Sequence, residues 1–305
     1  MAILFLNITS VRRSDGRTAT AAAAYRAGER LRDERTGEVF NYSRRTDVLH
    51  KEIMLPSPLA SESLAWARDR ASLWNHAELA EGRPDSRVAR EFLVTIPHEL
   101  SSPQRIALAR TLARDVTDRY GVAVDMALHA PRTSGDARNF HLHLLATTRQ
   151  AMASGLGAKA GLDSREFSRS PEGIARSGEE FRALRERSAG LINEALREAN
   201  LAVRVDHRTL AAQGLEREPQ ARLPWGAYRA EQRGQYSEIA ERVRASYRAR
   251  VLARDGPRPM ERMEDIRRQA REEWSAWRKA HGAGERTESA KVLGLGLEHE
   301  PDLGL

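Results

Sequence analysis

The sequence contains no cysteine and no long apolar run. The absence of cysteine from all 305 residues excludes disulfides, thiolate nucleophiles and thiolate metal ligands, so a transition-metal site must use histidine and carboxylate groups. No run approaches the roughly 18 apolar residues that a membrane span requires. Residues 1–13 place their apolar stretch before their basic residues, which is the reverse of a secretory signal. We therefore expect a cytoplasmic protein with no membrane insertion.

Lysine is also scarce, although the chain is basic. Only four of the 50 basic residues are lysine and 46 are arginine, and the formal net charge is +7. Arginine binds phosphate through a planar fork of donors, so the composition favours a polyanionic partner such as nucleic acid. A GC-rich genome would produce the same arginine bias. The charge therefore leaves both interpretations open.

The hydrophobic pattern mixes strands and helices without strict alternation. It predicts strands over residues 2–8, 38–43, 48–56, 88–97, 123–131 and 139–149, and helices over 18–34, 61–81, 102–121 and 181–201. Such an order is typical of an α+β fold with a largely antiparallel β-sheet flanked by helices.

A change of composition after residue 149 suggests the domain organisation. Residues 150–165 are small and glycine-rich, which predicts a loop or linker. From about residue 219 the chain is highly charged and shows no strand pattern. We therefore predict a first domain over 1–215, a charged helical extension over 216–280 and a disordered tail over 281–305.

Two histidines stand two residues apart in the apolar run NFHLHLLATTR. Residues i and i+2 share one face of a strand, so His141 and His143 would point the same way. If the preceding strand forms a hairpin with this one, His129 lies opposite His141 and three imidazoles converge. Three histidines with open positions are a common catalytic metal site, and imidazole suits Zn, Cu, Fe or Ni. The alternative is a set of structural histidines.

Two further residues are candidates for chemistry. Tyr25 lies in the helix AAAAYRAG, where small neighbours would let a nucleic-acid strand approach. A phenol is a weak nucleophile at neutral pH and needs a base or a metal-polarised target, and a packing role for Tyr25 is the alternative. Glu91 opens the strand REFLVTIP and would orient a histidine beside a metal, unless it is an exposed charge at a strand end.

These motifs together resemble the MobA/MobL family of plasmid relaxases, of the MobQ type among the HUH endonucleases. The resemblance rests on Tyr25 in its small-residue helix, on REFLVTIP and on the late N-x-H-x-H block. It extends to LWNHAELAEGRPDSRVARE at 73–91 and ANLAVRVDHRTLAAQGLEREP at 199–219. The histidine block is shared by all HUH endonucleases, whereas the ordered combination over residues 1–220 is much more specific.

The resemblance implies a relaxase domain with a defined set of site residues. In this family the matching positions make Tyr25 the nucleophile and make His129, His141 and His143 the ligands of one divalent metal, Mg or Mn. The product would be a 5′-phosphotyrosyl intermediate on single-stranded DNA at an origin of transfer, and rejoining would need no ATP. Glu91 would be a supporting catalytic residue. The implied partners are that DNA, mobilisation accessory proteins and a type IV coupling protein.

Other positions match the family less informatively. Glu78 is a second, weaker candidate for the supporting acidic residue. Asp206, His207 and Arg208 match the downstream motif of the family, and we interpret them as structural rather than DNA-contacting. Phe140 stands where family members often have proline. Tyr42, the nearest other tyrosine, is interpreted as sheet packing.

A DNA substrate would also need a positive groove and stacking surfaces. The candidate phosphate-binding residues are Arg12, Arg13, Arg17, Arg26 and Arg149. Candidate stacking platforms are Phe140, Trp66 and Trp74, although a core role is the favoured interpretation of the two tryptophans.

Three rival functions stay open. An HUH replication initiator would use the same chemistry, but the LWNHAE and RVDHRTL segments argue against it. A non-catalytic DNA-binding mobilisation accessory protein would be expected to lack Tyr25 or one histidine, and all four are present. A zinc hydrolase would need neither Tyr25 nor DNA.

Overall fold

A computed structural model describes residues 4–57, 64–131, 136–164, 176–216, 218–219, 221, 223–255 and 259–281. The strands are β1 (Leu6–Arg12), β2 (Arg30–Arg32), β3 (Val39–Asn41), β4 (Val48–Met54), β5 (Arg87–Ile96), β6 (Val122–His129), β7 (Phe140–Met152) and β8 (Gly155–Lys159). The main sheet is antiparallel in the order β1-β5-β7-β6-β4, with β8 added to the end of β7 and β2-β3 forming a separate ribbon.

Helices flank this sheet, as predicted, and they cover both of its faces. They are α1 (Ala19–Ala27), α2 (Arg70–Leu79), α3 (Ser102–Tyr120), α4 (Arg176–Glu198), α5 (Trp225–Gln232), α6 (Glu238–Asp255) and α7 (Pro259–His281). The predicted fold class is confirmed. Within the described ranges, none of the helices is both long and apolar enough to cross a membrane.

Side chains alternate between the two faces of the central strands, and a hydrophobic core lies on each face. Leu142, Leu144 and Ala146 of β7 point into a core built with α3 and α4, whereas Leu145 points into a second core built with α1 and α2. Because successive strand residues face opposite ways, His141 and His143 lie on the α1–α2 side. Every residue of β6 is buried, since both faces of that strand are covered.

The predicted helix over 18–34 is wrong in its second half. The helix ends at Ala27 because Gly28 adopts φ +60° and its N–H caps the carbonyl of Ala24. The chain then forms β2, which pairs with β3 and buries Leu31 against the second core.

Two other boundaries also differ from the sequence-based expectation. The predicted loop over 150–165 contains the end of β7 and the whole of β8, whose backbone pairing does not need large side chains. The predicted helix over 61–81 is a short 3-10 turn, Ala65–Arg68, followed by α2, which Asp69 caps by accepting from Ser72 N at 2.7 Å. Residues 58–63 lie outside the described residues.

The described residues fall into two compact units, divided between Thr209 and Leu210. The first contains the sheet and α1 to α4, and the second contains α5, α6 and α7. The assignment of a relaxase domain to 1–215 and a helical extension to 216–280 stays a prediction. Of the predicted tail over 281–305, only residue 281 lies among the described residues.

Candidate metal and nucleophile site

The hairpin of β6 and β7 brings the three histidines together. His129 pairs directly with His141 in the antiparallel register, and His143 follows two residues later on the same face. The ring centroids lie 5.3 Å apart for His129 and His141, 4.6 Å for His129 and His143, and 5.2 Å for His141 and His143. One ligand atom from each residue lies within 4.8 Å of the other two.

Each imidazole is oriented by a partner on one ring nitrogen. His143 Nδ1 lies 2.6 Å from Glu91 Oε1, and His141 Nδ1 lies 3.0 Å from the carbonyl of Asn139. A nitrogen that faces such an acceptor carries the ring proton, which leaves Nε2 of both residues with its lone pair. His129 is fully buried and donates Nε2–H to the carbonyl of Arg26 at 2.7 Å.

Burial and charge set the protonation states of this cluster. Burial lowers the pKa of His129 to about 3, and the electrostatic effect of the neighbouring His143 adds to the lowering, so the His129 imidazole is neutral as a metal ligand must be. Burial would raise the pKa of Glu91, but hydrogen bonds from His143 and Arg26 outweigh it and hold the pKa well below its usual value. Glu91 is therefore ionised, which suits an orienting group better than a proton acceptor.

The end of α1 is attached to this cluster through its last carbonyl groups. Carbonyls in the last turn of a helix lack partners within the helix. Here three consecutive ones accept from side chains elsewhere: Tyr25 O from Arg45 Nη1 (3.0 Å), Arg26 O from His129 Nε2 (2.7 Å), and Ala27 O from Lys51 Nζ (2.9 Å). The backbone that carries the tyrosine is therefore fixed relative to the histidine hairpin.

Tyr25 itself is reachable from solvent. Its exposed fraction is 39%, and the guanidinium carbon of Arg45 lies over its ring, 4.1 Å from the centroid. The ring of Tyr42 meets it edge to face with centroids 5.2 Å apart. The same Arg45 guanidinium places Nη2 3.4 Å from His129 Nδ1. Tyr25 and His129 thus contact one cation between them.

Glu78 lies at the other end of α1, away from the histidines. Its fully buried carboxylate accepts from Ala19 N at 2.5 Å and from the Nε of Arg13 at 3.0 Å. Arg35 also lies 3.4 Å from the same carboxylate. The structure therefore gives Glu78 an anchoring contact at the start of α1 and no contact with the three-histidine cluster.

The five candidate DNA-binding arginines separate into two groups. Arg12 and Arg17 are exposed. The other three have intramolecular partners: Arg13 pairs with Glu78, Arg26 with Glu91 and Arg149 with Glu81. Their guanidinium groups are committed to ion pairs, so the structure offers Arg12 and Arg17 more readily to DNA. DNA contact by any of the five stays a prediction.

The remaining candidates lie away from the cluster. Trp74 is fully buried and donates Nε1–H to Asp125 at 3.0 Å, so it is a core residue. Trp66 is half-buried and donates to the carbonyl of Met152. Phe140 lies on the opposite sheet face from His141, under the guanidinium of Arg105. The Asp206, His207 and Arg208 triplet contains a local ion pair between its first and last members.

Sequence reasoning missed Arg45 and Asp47. Both lie between β3 and β4, and Asp47 approaches His129 Nδ1 at 3.9 Å. The sequence shows two adjacent arginines at 44 and 45 and nothing that distinguishes them. Only the folded segment shows that the second one reaches Tyr25.

The donor set fits a divalent metal ion. Three imidazoles converge, and Nδ1 of His141 and of His143 is held by a carbonyl and a carboxylate respectively, the usual partners of metal-binding histidines. His129, His141 and His143 are the residues that would hold it.

The fold matches that of a solved protein. A structure described as "Molecular Basis of Vancomycin Resistance Transfer in Staphylococcus aureus" aligns with a TM-score of 0.56 and 26% identity, over 68% of this chain and 100% of that one. A conjugative relaxase TrwC in complex with oriT DNA, in a metal-bound form, aligns with a TM-score of 0.43 and 13% identity over 83% of this chain and 100% of that one.

The sequence profile of the MobA/MobL family matches residues 17–233. The chain therefore belongs to the MobA/MobL family, and the membership predicted from its motifs is confirmed. Mobilization protein MobL of Acidithiobacillus ferridurans is 39% identical over 247 residues, which is 73% of this chain and 62% of the relative. Conjugal transfer protein TraA of Agrobacterium fabrum is 30% identical over 265 residues, which is 80% of this chain and 23% of the relative. The chain spans less than two thirds of either relative.

Proposed function

We propose that this chain is a DNA relaxase that nicks one strand of DNA at an origin of transfer and begins conjugative mobilisation. The observation that carries the proposal is the attachment of the Tyr25 helix end to the three-histidine hairpin. The carbonyl of Arg26 accepts from His129, and one guanidinium contacts both Tyr25 and His129. An exposed phenol beside a metal-binding cluster suits attack on a phosphodiester.

These groups support the following reaction. A divalent ion on the three imidazoles would act as a Lewis acid toward a phosphoryl oxygen. The phenol oxygen of Tyr25 forms a bond to phosphorus while the bond from phosphorus to the 3′ oxygen breaks. The phenol loses its proton to solvent and the 3′ oxygen gains one. The 5′-phosphate stays on Tyr25, and the retained phosphodiester energy permits rejoining without ATP.

The surrounding residues support this chemistry in distinct ways. Glu91 is proposed to hold the His143 ring with Nε2 facing the metal, because its oxygen lies 2.6 Å from the other ring nitrogen. Arg12 and Arg17 are proposed to contact phosphates, since both are exposed. Mg or Mn is proposed as the working ion, because phosphate oxygens and water would complete the shell with oxygen donors.

The relatives supply the biological setting. Proteins named for mobilisation and conjugal transfer are similar to this chain, which supports single-stranded DNA at an origin of transfer as the proposed partner. Accessory mobilisation proteins and a type IV coupling protein are proposed as further partners.

Covalent capture tests the proposal. Labelled single strands that tile the DNA flanking the gene are incubated with the protein and Mn or Mg, and the products are separated on a denaturing gel. We expect one labelled strand to migrate at protein mass. The band should disappear with Tyr25→Phe and with EDTA, and it should persist with Tyr42→Phe, the matched control 5.2 Å away.

The other outcomes select among the rival functions. Metal-dependent cleavage that survives Tyr25→Phe would indicate a hydrolase that activates water. Strand binding without cleavage would indicate an accessory protein. An adduct formed only at an origin of replication would indicate an initiator.

A further inference from the structure

We infer that Arg45 is a positioning residue that holds the Tyr25 ring beside the three-histidine cluster. The inference rests on the proposed function, since it concerns the same nucleophile. Arg45 is one of the three side chains that cap the end of α1. Of those three donors, it alone also covers the tyrosine ring.

The guanidinium makes three contacts that converge on the site. Its carbon lies 4.1 Å from the Tyr25 ring centroid, and Nη1 donates to the carbonyl of the same residue at 3.0 Å. Nη2 lies 3.4 Å from Nδ1 of His129. The planar guanidinium group therefore fixes the positions of both the backbone and the ring of Tyr25 relative to His129, a proposed metal ligand.

Asp47 fixes the orientation of that group. Arg45 Nε donates to Asp47 Oδ1 at 2.9 Å, and Nη2 donates to the second carboxylate oxygen. The side chains are 17% and 28% exposed, so the pair is partly shielded from solvent. A forked pair of this kind restricts rotation of the guanidinium in a way that a single contact does not.

The segment that carries the pair is attached at both ends. Arg45 N donates to the carbonyl of Tyr42 at 3.0 Å, and Ala130 N donates to the carbonyl of Asp47 at 2.8 Å. The second bond connects the segment to the residue after His129. The segment that carries Arg45 is therefore held by the same hairpin that carries the histidines.

This placement has a direct consequence for the reaction. The distance and angle between the phenol oxygen and the phosphate govern the rate, and a displacement of about 1 Å costs about 100-fold. A cation over the ring face also interacts favourably with its electrons. Removal of Arg45 should slow the chemical step at saturating metal and leave DNA binding intact.

The test measures single-turnover nicking at saturating single-stranded DNA with Mn. We expect Arg45→Ala to lower the rate about 100-fold at saturating Mn without changing the half-saturating DNA concentration. Arg45→Lys retains the charge and loses the fork, so its rate should lie between those of Arg45→Ala and the wild-type protein. Arg44→Ala is the matched control, because Arg44 is the exposed neighbour, and its rate should equal that of the wild-type protein.

The outcomes separate this inference from the function on which it rests. A wild-type adduct together with an undiminished Arg45→Ala rate overturns the inference and leaves the relaxase proposal standing. Failure of the wild-type protein to form any adduct overturns both. If thermal melting shows that Arg45→Ala is unfolded, the nicking rates of Asp47→Asn and Arg45→Lys test the inference instead. Slower nicking at unchanged DNA affinity supports the inference, and an unchanged rate contradicts it.

Discussion

Each imidazole of the cluster has one ring nitrogen held by a protein acceptor. For His141 and His129 the acceptor is a backbone carbonyl, and for His143 it is the Glu91 carboxylate. The carboxylate is in turn balanced by Arg26, whose Nε donates at 2.6 Å. Because the arginine and the acid are both nearly buried, loss of either charge would leave the other uncompensated.

Glu91→Gln tests this arrangement at the residue scale. The amide preserves the shape but removes the charge that orients His143, so we expect Mn affinity to fall about 10- to 100-fold in calorimetric titrations. The buried Arg26 charge would also lose its partner, which should lower the free energy of unfolding by about 3 kcal/mol.

Glu38→Gln provides the comparison for that variant, because Glu38 is exposed. It should bind Mn as the wild-type protein does. Equal Mn affinity in the Glu91 and Glu38 variants would show that the carboxylate does not tune the metal site.

Strand periodicity predicted the histidine cluster because it needs only local geometry. Residues two apart share a face, and a hairpin of β6 and β7, joined by residues 130–139, places His129 opposite His141, which is the register observed. The contacts of Glu91 and Arg45 depend on pairing between segments far apart in the sequence. The strand pattern around Glu91 indicated that this residue lies in the same sheet as the histidines. No local pattern distinguishes Arg45.

At the scale of elements, α1 is a short helix fixed at both ends. Glu78 accepts from its first backbone N–H, and three side chains cap its last turn. Gly28 ends it in the left-handed conformation, and a Cβ there would lie 3.2 Å from Val48 Cγ2 and 3.5 Å from Arg45 Cβ. The position therefore requires glycine for its conformation and also for its space.

Gly28→Ala and Gly37→Ala separate these two requirements. Gly37 has φ +76° and open space around its Cα, so its alanine variant should lose only about 1 kcal/mol of unfolding free energy. Gly28→Ala should lose about 1 kcal/mol more, because Val48 must shift. Urea denaturation measures both, and equal losses would show that the space around Gly28 is not limiting.

The short strands β2 and β8 were harder to predict than the central strands. The helical pattern over 18–34 continued past Ala27 because Glu29, Arg30 and Leu31 are compatible with a helix. The strand there exists through its pairing with β3, and such long-range pairing overrides local propensity. The glycine-rich sequence of β8 did not predict a strand for the same reason, because β8 forms through backbone pairing with β7.

At the scale of the whole molecule, the chain divides between Thr209 and Leu210. Every residue assigned to the two hydrophobic cores lies in the first unit, as do the three histidines and Tyr25. The first unit therefore has the buried apolar surface that an independent fold requires.

A chain that ends at Thr209 tests this division. We expect it to unfold in one cooperative thermal transition and to bind Mn with the affinity of the full chain. Circular dichroism and calorimetry measure the two properties. A broad, non-cooperative transition would mean that residues beyond 209 are needed for the fold.

Peptide mapping of the DNA adduct tests the central claim most directly. Trypsin cleavage after Arg17 and Arg26 releases residues 18–26, which contain Tyr25, whereas Tyr42 lies in the separate peptide 36–44. The account predicts that mass spectrometry finds nucleotide on peptide 18–26, attached through a 5′-phosphate, and only when a divalent metal was present. Nucleotide on peptide 36–44, or on neither peptide while cleavage proceeds, would contradict it.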